Sequence, residues 1–312
     1  MGEVPSVAFL VDEPGWAFDR WTEGLAAELG RAGFHATRYF RHTLPERVEG
    51  DFVFVCWWPD IALVAPRLRP QQNILCRVTD MVTWNRHAPA EWQTRFQSFG
   101  PVVNTYVASS QEIERELRTL GLCNIMRLGD CVDPARYRDK IFGPTEKPIV
   151  GWCGNPKALE WMGFADLKGF STVESLRGSS DVTLTTAVDL PPEQMPQWYR
   201  SIDIYVCASR LEGTPLPVLE AMATGNIVVS TAVGIVPELA SPGLFLFDGT
   251  PSGLRAAIAS VLRVRSRWAQ LGATNRQLVV ERWSTTAAAT ALSTWLLSSA
   301  RLFSDEVKRA NR

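Results

Sequence analysis

Two glutamates, Glu212 and Glu220, flank a turn in the stretch SRLEGTPLPVLEAMATG, residues 209–225. A β-rich run, IDIYVCAS (202–209), ends just before the first of them. Pro217 suits the first turn of a helix, where a missing N–H costs little, and Gly225 suits its end. Gly213, Thr214 and Leu216 then lie at a helix start, where amides and the helix dipole favour an anion. Glu212 sits just past a strand end. Glu220 stands one turn into the helix, where its carboxylate can accept two hydrogen bonds from a vicinal diol such as a ribose. A sugar, a phosphate and a ribose held in one stretch would be a nucleotide sugar. The spacing equally suits a plain helix start whose two acids complement the dipole and face water.

The elements that must position these residues are legible as alternation. VAFLVD (7–12), HATRYF, DFVFVCWW (51–58), NILCRVTD (73–80), TYVASS (105–110) and NIMRLG (124–129) read as strands. DRWTEGLAAELGRAG and SSQEIERELRTLG between them read as helices, the second with a serine cap and a closing Gly121. The pattern restarts with IVGWCGN (149–155), the helix LKGFSTVESLRG, DVTLTTAVD (181–189), a short helix PPEQMPQWYRS, IDIYVCAS, the helix PLPVLEAMAT and NIVVS. GLRAAIASVLRVRSRWAQLG and the tail from about Thr274 read as helices. This order predicts an α/β chain of two Rossmann-like, doubly wound parallel-sheet domains. The expected N-terminal domain is 1–133, the hinge is the proline-rich 134–148, and the second domain is 149–285. A final helix over 286–312 is expected to pack back on the first domain. Ligands of such sheets bind at the carboxyl ends of the strands, which points to the cleft between the domains.

Composition narrows the classes. A net charge of −1 gives no electrostatic case for nucleic acid. No run approaches 18 apolar residues, and the N-terminus lacks a basic region, so neither a membrane span nor a signal peptide is expected, and a cytoplasmic location follows. The six cysteines form no CxxC pair and read as buried thiols. The basic spots HATRYFRH and PRLRP offer limited contact with an anionic membrane surface. Trp16, Trp21, Trp57, Trp58, Trp84 and Trp92 fall in the N-terminal half, as core packing or as an aromatic-lined groove.

From about residue 182 to 240 the chain closely resembles the retaining glycosyltransferases of family 4, which have the two-domain B-type (GT-B) fold. VDLPPEQMPQWYRSIDIYVCASRLEGTPLPVLEAMATGNIVVSTAVGIVPELA carries the acidic-Pro turn, the helix ending in a tyrosine, the Asp-x-x-Val strand, the two-glutamate motif and a Gly234–Glu238 turn. ASSQEIERELRTLG with NIMRLGDCVDPARY, VGWCGN, and Leu167-Lys168-Gly169-Phe170 match further pieces. The resemblance implies that Glu212 meets donor sugar hydroxyls, that Glu220 binds the ribose, and that amides of Gly213, Thr214 and Leu216 face the diphosphate. Lys168 would neutralise the leaving phosphate, as a fixed cation should where charge develops. The chain contains no Asp-x-Asp pair, in keeping with a reaction without metal or other cofactor.

Three departures stand out. A second basic residue usually precedes the lysine by about six positions, and Met162–Leu167 holds none; Asn155, Lys157 or Arg210 are the candidate substitutes. The glycine-rich first loop is reduced to Glu13-Pro14-Gly15-Trp16, where Gly15 brings an amide to the donor or merely makes a tight turn. The usual acceptor-side histidine has no clear counterpart among His35, His42 and His87. Asp80, at a strand's carboxyl end, is the best acceptor-activating candidate, ahead of His87. The expected reaction is retaining, metal-independent transfer of a sugar from a nucleotide diphosphate sugar to a hydroxyl of a glycan, lipid-linked or small-molecule acceptor. A sugar-nucleotide epimerase of the same fold and a catalytically silent sugar-nucleotide-binding subunit are the rival readings.

Overall fold

The computed structural model describes residues 4–70, 72–143, 146–160 and 163–310, with side chains as far as residue 300. The chain ends, part of the 134–148 segment and Met162 of the interval searched for a second basic residue lie outside the described residues. The chain divides into two compact units, Met1–Asp130 with Thr285–Arg312, and Cys131–Ser284.

In the first unit the elements run β1 (Ser6–Val11), α1 (Ala17–Arg31), β2 (His35–Phe40), β3 (Phe52–Val55), α2 (Ile61–Val64), β4 (Asn73–Val78), α3 (Ala90–Ser98), β5 (Thr105–Ala108), α4 (Gln111–Thr119) and β6 (Ile125–Arg127). Among the described residues they build a six-stranded sheet of order β2-β1-β3-β4-β5-β6 with parallel pairings. β3, FVFV, is buried throughout, as a strand covered on both faces must be. On α1, Trp21, Leu25 and Leu29 recur every fourth residue and form its buried stripe. Ser110 caps α4 through Oγ, which accepts from the Ile113 amide at 3.2 Å, as the sequence predicts. The last helix, α11 (Thr285–Ala310), belongs to this unit and packs on α1, and the Trp295 ring lies 5.9 Å from Phe52.

The tryptophans divide by position. Trp58 and Trp84 are fully buried, and Trp58 packs edge-on against Trp92 and Phe96 while its indole N–H donates to Thr83 Oγ1 at 2.9 Å. These rings are core, whereas Trp16 is exposed.

The second unit runs β7 (Ile149–Cys153), α5 (Phe170–Glu174), β8 (Thr183–Ala187), α6 (Met195–Ser201), β9 (Ile204–Cys207), α7 (Leu216–Thr224), β10 (Ile227–Ser230), α8 (Val236–Leu239), β11 (Leu244–Leu246), α9 (Pro251–Arg263) and α10 (Trp268–Arg282). Its described sheet has five parallel strands in the order β11-β10-β9-β7-β8. The described residues of segment 134–148 belong to this unit. Lys140 reaches into it, donating to the Ile202 carbonyl and to Asp203 Oδ1 at 2.7 Å, while Asp203 Oδ2 takes the Ile149 amide at 2.9 Å. Asp203 therefore ties the start of β9 to the start of β7 and to the incoming chain.

Several expectations need correction. The helix expected over 167–178 is only α5. Gly169 enters it in the left-handed region, and Gly178 also has positive φ after it. β11 and α3 escape sequence reading, the first because three residues carry no period. Cys123 is exposed, while the other five cysteines are buried free thiols. Among the described residues, no helix is long and apolar enough to cross a membrane.

Candidate functional site

The site is built at the carboxyl end of β9, where the chain passes through Ser209–Pro215 into α7. Lys168 arrives from the loop before α5, and its Nζ donates to Glu212 Oε1 at 2.6 Å. Burial alone would lower the lysine's pKa, but the Glu212 carboxylate overrides it and raises the pKa. Both residues line a cavity of about 170 Å³ whose other walls include Cys153, Gly154, Ser209, Thr214 and Leu216. A cation, a carboxylate and the first turn of a nine-residue helix thus share one recess. That arrangement suits a ligand with both an anionic group and hydroxyls.

Two glycines make the approach of these segments feasible. A Cβ on Gly169, φ +63°, would lie 2.0 Å from the Ala208 carbonyl oxygen, so glycine lets the Lys168 loop press against the end of β9. A Cβ on Gly234, φ +52°, would lie 2.1 Å from the Gly213 carbonyl oxygen, and that oxygen accepts the Ile235 amide at 3.0 Å. The Gly234–Glu238 turn therefore props the Glu212–Gly213 loop from behind.

Glu220 follows Leu216 and Pro217 by four and three residues, so it continues the helix face that lines the recess. Its Oε1 accepts from Tyr137 Oη and its Oε2 from Tyr199 Oη, the latter at 2.8 Å. Sequence reasoning gave neither tyrosine a role. Tyr199 stands out in the sequence as the tyrosine of PPEQMPQWYRS, inside α6, and Tyr137 as the end of DPARY, but nothing in their spacing ties them to Glu220.

The remaining candidates are placed differently. Arg210 is largely exposed and turns to Asp166, with Nε 3.1 Å from its carbonyl and Nη2 3.5 Å from Oδ2. It lines a separate cavity of about 460 Å³ with Thr172, Thr231 and Asp248. Asn155 and Lys157 are exposed, and Asn155 Oδ1 accepts the Lys157 amide at 2.9 Å in a local turn.

Gly15 and Asp80 lie in the first unit. Gly15 has φ +81°, and its amide donates to Asp19 Oδ2 at 2.8 Å within a tight turn. Asp80 caps its own turn: Oδ1 accepts the amides of Val82 at 2.9 Å and Thr83 at 2.7 Å, and Oδ2 accepts Thr83 Oγ1 at 2.8 Å. His87 is exposed on the following loop.

Comparison with known proteins bears on the family pattern and the fold. Residues 156–263, inside the second unit, match the family described as glycosyl transferases group 1. A lipopolysaccharide core biosynthesis mannosyltransferase, LpsB of Rhizobium meliloti, is 51% identical over 49 residues, which is 16% of this chain and 14% of that protein. Sucrose-phosphate synthase from Thermosynechococcus elongatus superposes with a TM-score of 0.77 at 14% identity, covering 96% of this chain and 99% of the other. HepE of Anabaena, in complex with UDP and glucose, gives 0.71 at 13% identity over 94% and 99% of the two chains. A glycosyltransferase from Rickettsia africae gives 0.67 at 12% identity over 97% and 98%. The chain therefore has the two-domain glycosyltransferase B-type fold, and its second unit carries the pattern of the glycosyl transferases group 1 family.

Proposed function

We propose that this protein is a retaining, metal-independent glycosyltransferase that moves a hexosyl group from a nucleotide diphosphate sugar to an acceptor hydroxyl. The observation that carries the reading is the Lys168–Glu212 pair in one recess with the start of α7. HepE, of the same fold, is a complex with UDP and glucose, in keeping with such a donor. In this reading Lys168 stands beside the diphosphate and offsets the charge that grows on it as the bond to the sugar breaks. Glu212 accepts from sugar hydroxyls, amides of Gly213, Thr214 and Leu216 face the phosphates, and Glu220 takes the ribose. The anomeric carbon loses its bond to the phosphate oxygen and gains one to the acceptor oxygen on the same face. The acceptor proton passes to the departing diphosphate, so no pair of flanking carboxylates is required. The acceptor, a glycan, a lipid-linked sugar or a small molecule, is assigned to the first unit.

The test is incubation with a panel of radiolabelled sugar nucleotides and acceptors, following nucleoside diphosphate release with and without EDTA. Glu212→Ala is expected to abolish transfer while nucleotide binding largely persists, and Glu220→Ala to weaken nucleotide binding. Normal transfer by both variants refutes the site. Interconversion of free sugar nucleotides would instead mark an epimerase, and tight binding without turnover a silent binding subunit.

A further inference from the structure

Glu220 is the donor-side carboxylate whose surroundings are most fully specified. Each oxygen of a carboxylate can accept about two hydrogen bonds. Tyr137 takes one position on Oε1 and Tyr199 one on Oε2, which leaves one position on each oxygen. Two remaining acceptors on the two oxygens of one carboxylate match the two hydroxyls of a vicinal diol. An unrestrained glutamate would lose side-chain entropy on adopting a single geometry. Two phenols already fix this one.

The phenols are themselves fixed. Tyr199 is completely buried and Tyr137 nearly so, and their rings meet at 5.9 Å and 70°. The Tyr199 hydrogen is committed to Glu220, so its contact with Cys153 Sγ at 3.4 Å has the thiol as donor. Burial pushes that thiol up to about 12, which keeps its proton in place at neutral pH. The Tyr205 hydroxyl lies 3.6 Å from the same sulfur. A line of polar groups, Tyr205, Cys153, Tyr199 and Glu220, thus runs beneath the recess, whose wall includes both Tyr205 and Cys153. From the other side, the Arg276 guanidinium holds the Tyr137 carbonyl.

We propose that Tyr137 and Tyr199 are positioning residues that lock the Glu220 carboxylate for a ribose diol and thereby set the site's preference for ribonucleotides. This rests on the reading of Glu220 as the ribose ligand. The experiment measures, on the full chain by calorimetry, the Kd of UDP and of 2′,3′-dideoxy-UDP. The wild type is expected to prefer UDP by about tenfold or more, the scale of hydrogen bonds to a charged group. Tyr137→Phe, Tyr199→Phe and the double variant should cut that ratio several-fold and leave the dideoxy affinity unchanged.

A purely structural role would weaken both ligands together and leave the ratio intact, which overturns the proposal. Tyr137→Phe, at the less buried ring, carries the test alone if Tyr199→Phe fails to fold. Glu220→Gln is the control for the underlying reading. If it leaves the ratio unchanged, or if UDP, GDP and ADP all fail to bind, the assignment of Glu220 falls and this proposal with it. Collapse of the ratio in Glu220→Gln with no change in the tyrosine variants sinks the clamp alone.

Discussion

Replacing Lys168 by methionine keeps the stem and removes the charge from the 2.6 Å contact with Glu212. The two side chains are 30% and 14% exposed, so the pair lies between two regimes. An exposed pair is worth at most about 1 kcal/mol, and breaking a fully buried one costs about 3–5 kcal/mol. A loss of about 1–3 kcal/mol is therefore expected, and at about 2–4 °C per kcal/mol the melting point should drop by about 2–12 °C. Part of the loss comes from leaving a half-buried carboxylate without its cation. Lys168→Met combined with Glu212→Gln should thus cost less than the two single changes added.

Burial lowers the lysine's pKa, but Glu212 raises it above 10.5, so the native state holds this proton more tightly than the unfolded chain. The pair's contribution is intact below about pH 10.5 and drains away as pH climbs past the raised value. The variant should lack that alkaline loss. For catalysis, removing a preorganised group aimed at developing charge lowers kcat by about 10²–10³. Urea melts between pH 7 and 11 and nucleoside diphosphate release at saturating donor measure both effects. A variant that loses stability but keeps kcat within about threefold shows that Lys168 merely holds the loop and refutes its catalytic role.

Gly169→Ala must take a left-handed backbone and place a Cβ 2.0 Å from the Ala208 oxygen. It should cost about 2–4 kcal/mol and, by displacing Lys168, lower turnover even where the protein stays folded, as melts and initial rates will show. Asp203→Ala removes the partner of Lys140, whose pKa burial lowers; both side chains are under a tenth exposed, so a loss of about 3–5 kcal/mol is expected in urea melts. Asp60, whose Oδ1 lies 3.2 Å from Arg41, is pushed by burial up to about 6. A raised acid binds its proton more tightly when folded, so its contribution falls as pH rises from about 4 to 6 and stays low above. Asp60→Asn should remove that slope from the stability–pH curve, and an unchanged curve refutes the assignment.

The sheets were readable because their strands are buried runs such as FVFV and IYVC, bounded by turn residues. The helix start after Glu212 was readable because Pro217 and Gly225 are backbone punctuation, and Gly225 indeed closes α7 at φ +86°. Asp80 was legible only in part. A carboxylate at a strand end suits a ligand or the next turn equally well, and its bonds to Val82 and Thr83 could not be read from the sequence. The tyrosines around Glu220 were illegible for another reason. Tyr137 reaches it across 83 positions and Tyr199 across 21, from a coil segment and a helix with no shared period. Long-range polar contacts leave no local trace, whereas apolar faces do.

The last helix has a consequence for synthesis. α11 completes the first unit, packing on α1 and laying Trp295 against Phe52, yet the whole second unit is made before it. At about 5–20 residues per second, the ribosome needs roughly 10–30 s to pass through that interval. During that time the nascent first unit is left with an uncovered apolar flank, while the second unit, contiguous from Cys131 to Ser284, can already close. Its two ends meet, with the Val132 amide donating to the Trp283 carbonyl at 3.0 Å. The half made later is thus the one able to close first, and the half begun first is completed only when α11 has been made.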